Sequence, residues 1–497
     1  MLHRFCLLLL LASIMLAAAG KARDKHFWFD EILTLTISRL PVGPEMWDAM
    51  TAGFEFNPPL LYLVTHGAIQ WFGEGHIAAR LPQIIAGIGG LLIGFAVVSR
   101  GSNPVAGFWF VLLLSSTQMF AYFYEARPYS IVFFVTMLAW FIWQKIADQS
   151  QPRLMYLIAL TMSLAVAILF HLWSIVLLPC FAASALALSY ERKQFLWREI
   201  AAVCLALPVI AFCFPMIRAS RGIVFGGPIY FPSLWNATIG FYLDNLGLLL
   251  LVFLGSTFIL VSCATLRRKG APAHLTLPLV PLHEMVLAGS LILSPLMIFA
   301  VTKLTHSAFM SRYALVACSG AAFWCARMLS SIASPNRLVS VGILMTLSLY
   351  YIGQSGKLAT KGWSSTKDPA GDLSALTIPP YRNLPIIYAQ PIEFVESDFY
   401  APQDLAGRFV YVADSRMAIQ FTQTDGVDTA LLNGSRWLRL KGKVISYEEF
   451  LASYKKFVLL HDDNPEFNWL SPRLRQIGVR LTTIPSTGQR MLLCEFP

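Results

Sequence analysis

Eleven apolar runs follow one another through the first 353 residues, at 5–20, 79–99, 104–124, 128–145, 154–170, 172–190, 199–217, 242–266, 284–302, 312–330 and 337–353. About 20 mostly apolar residues in a helix cross the hydrocarbon core of a bilayer, so each run predicts a transmembrane helix. A further stretch, 59–72, begins after Asn57-Pro58-Pro59 and runs into Phe72-Gly73-Glu74-Gly75; it reads as a helix lying at the outer surface. Beyond residue 354 the pattern changes. Residues 353–380 are rich in Gly, Ser, Thr and Lys, as linkers are. Short β-type runs then appear at 384–388, 409–412, 457–460 and 491–496, with helical patterns between them, clearest at 447–454. Alternating strand and helix signals predict a small α/β domain. The expected organisation is a transmembrane domain over 1–354 with a first outer loop at 21–78, a linker over 355–383 and a soluble α/β domain over 384–497. The fold class is a mostly α, polytopic membrane protein of about eleven transmembrane helices.

Composition agrees with this pattern. Hydrophobic residues make up 56% of the 497 positions and charged residues 13%, against roughly a quarter charged in an ordinary soluble domain. That excludes a water-soluble enzyme and, equally, a disordered chain. The 32 Gly and 28 Pro show no repeat, which excludes fibrous classes, and no transporter or solenoid period is visible. A net charge of +10 would suggest nucleic acid in a soluble protein. Here the basic residues cluster between apolar runs, at Arg4, Arg100, Lys145 to Arg153, Arg192-Lys193 to Arg198, Arg267-Arg268-Lys269 and Arg327 to Arg337. If the eleven runs alternate, all of these lie on one side, and the positive-inside rule makes that side cytoplasmic. The expected location is the cytoplasmic (inner) membrane, with the N-terminus inside, the C-terminal domain outside and no nucleic-acid partner. The first run, ending in Ala17-Ala18-Ala19-Gly20, also fits a cleavable signal peptide. An uncleaved helix is the preferred reading, because the residues after it look functional and need anchoring. Seven of the eight cysteines lie in or beside apolar runs and Cys494 stands alone, with no metal-ligand spacing, so they read as core filler.

On this topology one side of the membrane collects an unusual polar set. Asp30-Glu31 lies in the first outer loop. Glu125-Ala126-Arg127-Pro128-Tyr129 joins the third and fourth spans, and His171-Leu172-Trp173 the fifth and sixth. Lys303 and Ser311-Arg312-Tyr313 border the ninth and tenth. Each has an ordinary reading: an acidic pair at a helix start stabilises its first turn, arginines at helix ends snorkel, and a histidine between apolar runs is a turn residue. Ionisable groups at membrane depth are costly, however, and a one-sided set of carboxylates and cations suggests a base for an acceptor and a cradle for a phosphate.

These segments carry a family resemblance. Phe29-Asp30-Glu31, Asn57-Pro58-Pro59-Leu60-Leu61-Tyr62, Phe72-Gly73 and Ala79-Arg80-Leu81-Pro82 resemble the GT-C membrane glycosyltransferases. The nearest branch contains the protein O-mannosyltransferases, the lipid A aminoarabinose transferases and the bacterial lipopolysaccharide galacturonosyltransferases. Glu125-Ala126-Arg127-Pro128-Tyr129 matches the second-loop segment of the bacterial members. The likeness covers about residues 1–190, with Ser311-Arg312-Tyr313 matching more loosely.

The resemblance implies an inverting transfer of a sugar from a polyprenyl-phosphate carrier to an acceptor hydroxyl on the outer membrane face. Asp30 maps to the family's catalytic base, with Glu31 beside it. Glu125, Arg127, Tyr129, His171, Lys303, Arg312 and Tyr313 are expected at the donor and its phosphate. No metal motif is visible and no cofactor is indicated, which leaves a divalent metal open without pointing to one. The partners are a polyprenyl-phosphate-linked sugar, a lipid, glycan or protein acceptor, and membrane lipids. The chemistry is coherent: the attacking hydroxyl must lose a proton, whereas a phosphate leaving group is already anionic and needs cations rather than an acid. Rival readings are a ligase- or polymerase-like transferase with a diphosphate donor, a lipid or sugar transporter, and a sensor with an outer ligand-binding domain.

Overall fold

Apolar runs interrupted by short polar turns fold into a helical bundle, and the β-type runs that follow pair into one sheet. The structure is a computed structural model describing residues 2–268, 280–332, 348–350, 353, 373–461, 466–485 and 490–497. The bundle opens with α1 (Leu2–Asp24), α2 (Phe29–Ser38), α3 (Pro44–Met50), α4 (Pro59–Phe72) and α5 (His76–Ser99). It continues through α6 (Pro104–Ser115), α7 (Tyr129–Ala147), α8 (Leu154–Phe170) and α9 (Leu177–Arg192).

Among the described residues five helices are long and apolar enough to cross a membrane, or up to eight if each of three pairs bent at a short break is one span. Ten of the eleven apolar runs appear as helix: these eight, the 17-residue α8, and the segment containing Ala317–Ile332. The run at 337–353 falls outside the described residues apart from 348–350 and 353. Three expected straight spans are bent. Pro104–Ser115 meets the 3-10 helix Gln118–Tyr124 at 75°, Asn236–Leu246 meets Leu248–Phe258 at 108°, and Leu282–Ile292 meets Ser294–Thr305 at 51°. The first break has a local cause. The hydroxyls of Ser116 and Thr117 donate back to the carbonyls of Leu113 and Leu114, at 2.7 Å each, and satisfy the end of α6 where the chain turns. At the second, Gly247 has φ +52°, a left-handed conformation that a glycine adopts without strain. α4 has 14 residues, about 21 Å at helical rise, too short for a 30 Å hydrocarbon core. Of the cysteines, Cys180, Cys213, Cys318, Cys325 and Cys494 are buried, as core filler should be, while Cys6 and Cys204 are exposed.

The sheet region begins at β1 (Ile386–Tyr388), which leads into α10 (Pro391–Tyr400) and then β2 (Phe409–Ala413). β3 (Lys443–Ser446), β4 (Lys456–His461), β5 (Arg480–Ile484) and β6 (Arg490–Glu495) complete it. The strand order is β3-β2-β1-β4-β6-β5, parallel across the first four and antiparallel at β6. Side chains alternate across the pleat. Ile387, Val410 and Leu459 face a core confined to the sheet and its outer helices. Ile386, Tyr388, Phe409 and Tyr411 face the other way and share one buried cluster with Phe27, Phe29, Ile32 and Leu35 of the first loop. The sheet and the loop carrying Asp30 therefore have a common hydrophobic core. The expected linker at 355–383 lies largely outside the described residues; its described part holds a short 3-10 helix, Ser374–Thr377.

Candidate active site

The adjacent carboxylates of α2 point to different partners, as residues about 100° apart on a helix must. Glu31 is fully buried against Arg80, whose Nε and NH2 donate to its two oxygens at 2.7 and 2.6 Å. The Ala126 backbone N–H adds a third bond to Glu31 at 2.6 Å. The remaining Arg80 donors go to the carbonyls of Ala22, Lys25 and His26, so all five guanidinium N–H groups are used. Its planar fork ties the end of α1 to the start of α2, and Glu31 carries the link on to the turn before α7. Glu31, named with Asp30 as catalytic, is held with neither oxygen free.

Asp30 is placed differently. Its Oδ2 lies 3.0 Å from NH2 of Arg312 and 3.5 Å from NH2 of Arg127, and 14% of its side chain stays exposed. Both are ion pairs by distance, yet neither puts a donor on Oδ2 with hydrogen-bond geometry. The carboxylate thus has two cations beside it and a route to solvent. Arg312 comes from the 3-10 helix Ser311–Ala314 and stacks its guanidinium over the Trp28 ring at 5.3 Å. Arg127 is more deeply set. Its NH1 donates to the Asp30 carbonyl and to Thr34 Oγ1, both at 3.0 Å, and to Glu55 Oε1 at 3.2 Å.

Glu55 is a member that the sequence reading missed. It lies in the loop before α4, 6% exposed, and also accepts a hydrogen bond from Asn57 of the Asn-Pro-Pro motif. Burial pushes its carboxyl above the usual range, and Arg127 opposes that. For Arg127, burial works against the charge, but Glu55 and Asp30 more than reverse it and hold the group charged. Glu125 pairs with Lys25, and burial raises its carboxyl despite that partner. The only local signal for Glu55 was its place two residues before Asn57.

Aromatic rings wall the other side. His171 stands edge-on to Tyr129, ring centres 5.2 Å apart, and 5.1 Å from Tyr313, which stacks on Trp173 at 5.9 Å. These residues, with Arg312 and Met119, line one cleft. Buried polar atoms here that have no hydrogen-bond partner include Asp30 Oδ2, Glu125 Oε2, Arg127 Nε, Arg312 Nε and the Tyr129 hydroxyl. Buried donors and acceptors left open in one place are what a polar ligand would satisfy.

Of the sequence candidates, Asp30, Glu31, Glu125, Arg127, Tyr129, His171, Arg312 and Tyr313 come together. Lys303 does not join them. It is exposed, with its ammonium 4.8 Å from the Phe231 ring and 5.3 Å from Phe299, and it pairs with no carboxylate among the described residues. Its position on the last turn of Ser294–Thr305 directs it to an aromatic surface instead. Among the described residues no three His, Cys, Asp or Glu side chains form a metal-type group.

No protein-family model and no curated protein sequence matches the chain. Solved structures do. ArnT from Cupriavidus metallidurans in the apo state superposes with a TM-score of 0.59 at 14% identity, covering 98% of this chain and 97% of that one. The same protein bound to undecaprenyl phosphate gives 0.57, again at 14% identity, with 98% and 97% covered. An oligosaccharyltransferase from Archaeoglobus fulgidus gives 0.45 at 11% identity, covering 93% of this chain and 69% of that one. Almost end to end, through bundle and sheet alike, the chain has the fold of this ArnT.

Proposed function

We propose that the chain is an inverting glycosyltransferase. It moves a sugar from a polyprenyl-phosphate carrier to an acceptor hydroxyl at the outer face of the cytoplasmic membrane. The observation that carries this reading is Asp30 Oδ2 set 3.0 Å from Arg312 and 3.5 Å from Arg127. A carboxylate that stays reachable beside two guanidinium groups can serve a reaction in which an anion leaves as a proton is taken up. The ArnT structure with undecaprenyl phosphate supports the carrier class, since that fold accommodates such a lipid.

The reaction is a single displacement. The acceptor oxygen attacks the anomeric carbon and its proton passes to Asp30. The bond from that carbon to the phosphate oxygen breaks, and the polyprenyl phosphate leaves with the electron pair, its charge met by Arg312 and Arg127. Glu31 and Arg80 position α2, and Glu55 holds Arg127. The aromatic cleft of Tyr129, His171, Trp173 and Tyr313 offers ring faces to the donor. Glu125, bonded to Lys25, borders the same space.

Purified protein in detergent or nanodiscs, given radiolabelled polyprenyl-phosphate sugars and membrane extract as acceptor, should transfer label. Absence of both transfer and undecaprenyl-phosphate binding would overturn the reading.

A further inference from the structure

The helix carrying Asp30 is capped by a residue 367 positions away in the chain. α2 begins at Phe29, and its N-cap residue Trp28 supplies no side-chain hydrogen bond. The first N–H groups of a helix have no partner within it and must find one elsewhere. Here the Phe29 N–H donates to Glu396 Oε1 at 2.9 Å. Two residues earlier, the Phe27 N–H donates to the Tyr400 hydroxyl at 2.6 Å. Glu396 and Tyr400 lie four apart on α10 and so share one face of it.

That face is itself held. The Tyr400 oxygen lies 3.2 Å from His76 Nε2, and His76 Nδ1 lies 3.2 Å from the Arg23 carbonyl. A carbonyl only accepts, which puts the imidazole proton on Nδ1 and lets Tyr400 donate to Nε2. At the far end of α2, the guanidinium of its C-cap residue Arg39 lies over the Phe399 ring at 5.4 Å. α10 therefore grips both ends of the helix that presents Asp30. A carboxylate at a helix N-terminus also lies with the helix dipole. Burial raises the Glu396 carboxyl and the Phe29 N–H opposes this.

We infer that Glu396 is a positioning residue: from the sheet region it fixes the first turn of α2, and with it the distance from Asp30 to Arg312. Tyr400 assists by fixing Phe27. This deepens the proposed function and rests on it for the meaning of Asp30 as base, while the mechanical claim stands independently. A displacement of about 1 Å at a reacting group can cost on the order of 100-fold in rate.

The test compares Glu396→Ala, Glu396→Gln and Tyr400→Phe in the full-length protein. Hydrogen–deuterium exchange of the peptide covering 27–38 is read alongside steady-state kinetics with a polyprenyl-phosphate sugar. Glu396→Ala should speed exchange in the first turn of α2 about 10-fold or more and lower kcat about 10- to 100-fold, with the donor KM within about threefold of wild type. Glu396→Gln keeps an acceptor oxygen and should restore most of both losses. Tyr400→Phe should speed exchange at Phe27. Wild-type exchange in Glu396→Ala, or a Gln variant as impaired as the Ala variant, would overturn the inference. If Glu396→Ala does not fold, the Gln and Phe variants decide by the same criteria. If the wild type transfers no sugar, the proposed function fails while the exchange measurements still decide whether Glu396 orders α2.

Discussion

NH2 of Arg312 lies 3.0 Å from Oδ2 of Asp30, across a contact that lacks hydrogen-bond geometry. An incoming phosphate would compete with Asp30 for this guanidinium. Asp30→Asn removes that competition along with the basicity. The variant should lose about 10²- to 10⁴-fold in turnover, yet bind undecaprenyl phosphate at least as tightly as wild type by native mass spectrometry. Glu31→Gln should behave otherwise. It leaves Arg80 buried without its counter-charge, a loss of about 3–5 kcal/mol for a broken buried pair. Thermal unfolding should drop steeply in Glu31→Gln and little in Asp30→Asn; an equal drop in both would erase the division of roles between them.

The two arginines should separate in the same kind of experiment. Arg127 is 5% exposed and its removal strands Glu55 as a buried carboxylate. Arg127→Ala should therefore lower the unfolding temperature and the yield, and adding Glu55→Gln should recover part of the loss, a coupling that a double-mutant cycle measures. The Arg312 side chain is 21% exposed and leaves no other carboxylate unpaired, so Arg312→Ala should weaken donor binding while the protein stays folded. Unchanged donor affinity in Arg312→Ala would remove it from the site.

Much of this arrangement was legible because hydropathy and charge are local. Ten apolar runs mark helices, and the charged residues between them mark the turns. The bends were not legible, since an apolar window averages over Ser116-Thr117 and over Gly247 when both flanks are greasy. At the site, Asp30, Arg127 and Arg312 stood out as charges at apolar ends. Glu55 lies in a stretch that reads as ordinary loop, and its role depends on Arg127 reaching it from 72 positions away. Glu396 and Tyr400 could not be read at all, because their partners are backbone N–H groups, which every residue but proline carries.

The orientation has its own check. Arg192-Lys193 and Arg267-Arg268-Lys269 should face the cytoplasm, and the sheet region the opposite side. A cysteine introduced at Ser365 in a background free of reactive thiols should react with an impermeant maleimide in intact spheroplasts. Labelling only after lysis would reverse the assignment.

The sheet region should also show a pH dependence centred on Asp428. This side chain is 3% exposed, and its Oδ1 accepts hydrogen bonds from the Tyr411 hydroxyl, the Trp469 indole N–H and the Asp414 backbone N–H at 3.1, 3.1 and 3.2 Å. Burial nevertheless dominates and pushes its carboxyl up to about 7, with the three donors opposing. An acid whose pKa is raised by folding stabilises the fold most when protonated. That contribution is complete below the unfolded value near 4 and is lost as pH rises through about 7. At about 1.4 kcal/mol per unit, the full span is on the order of 4 kcal/mol. Unfolding followed through Trp469, whose indole touches the group directly, should therefore show stability falling between about pH 4 and 7, the window set by these two values. Asp428→Asn keeps an oxygen for the same three donors and never ionises. It should flatten this dependence and be more stable than wild type above about pH 8. Parallel profiles for the two proteins would show that the buried carboxyl is not what titrates.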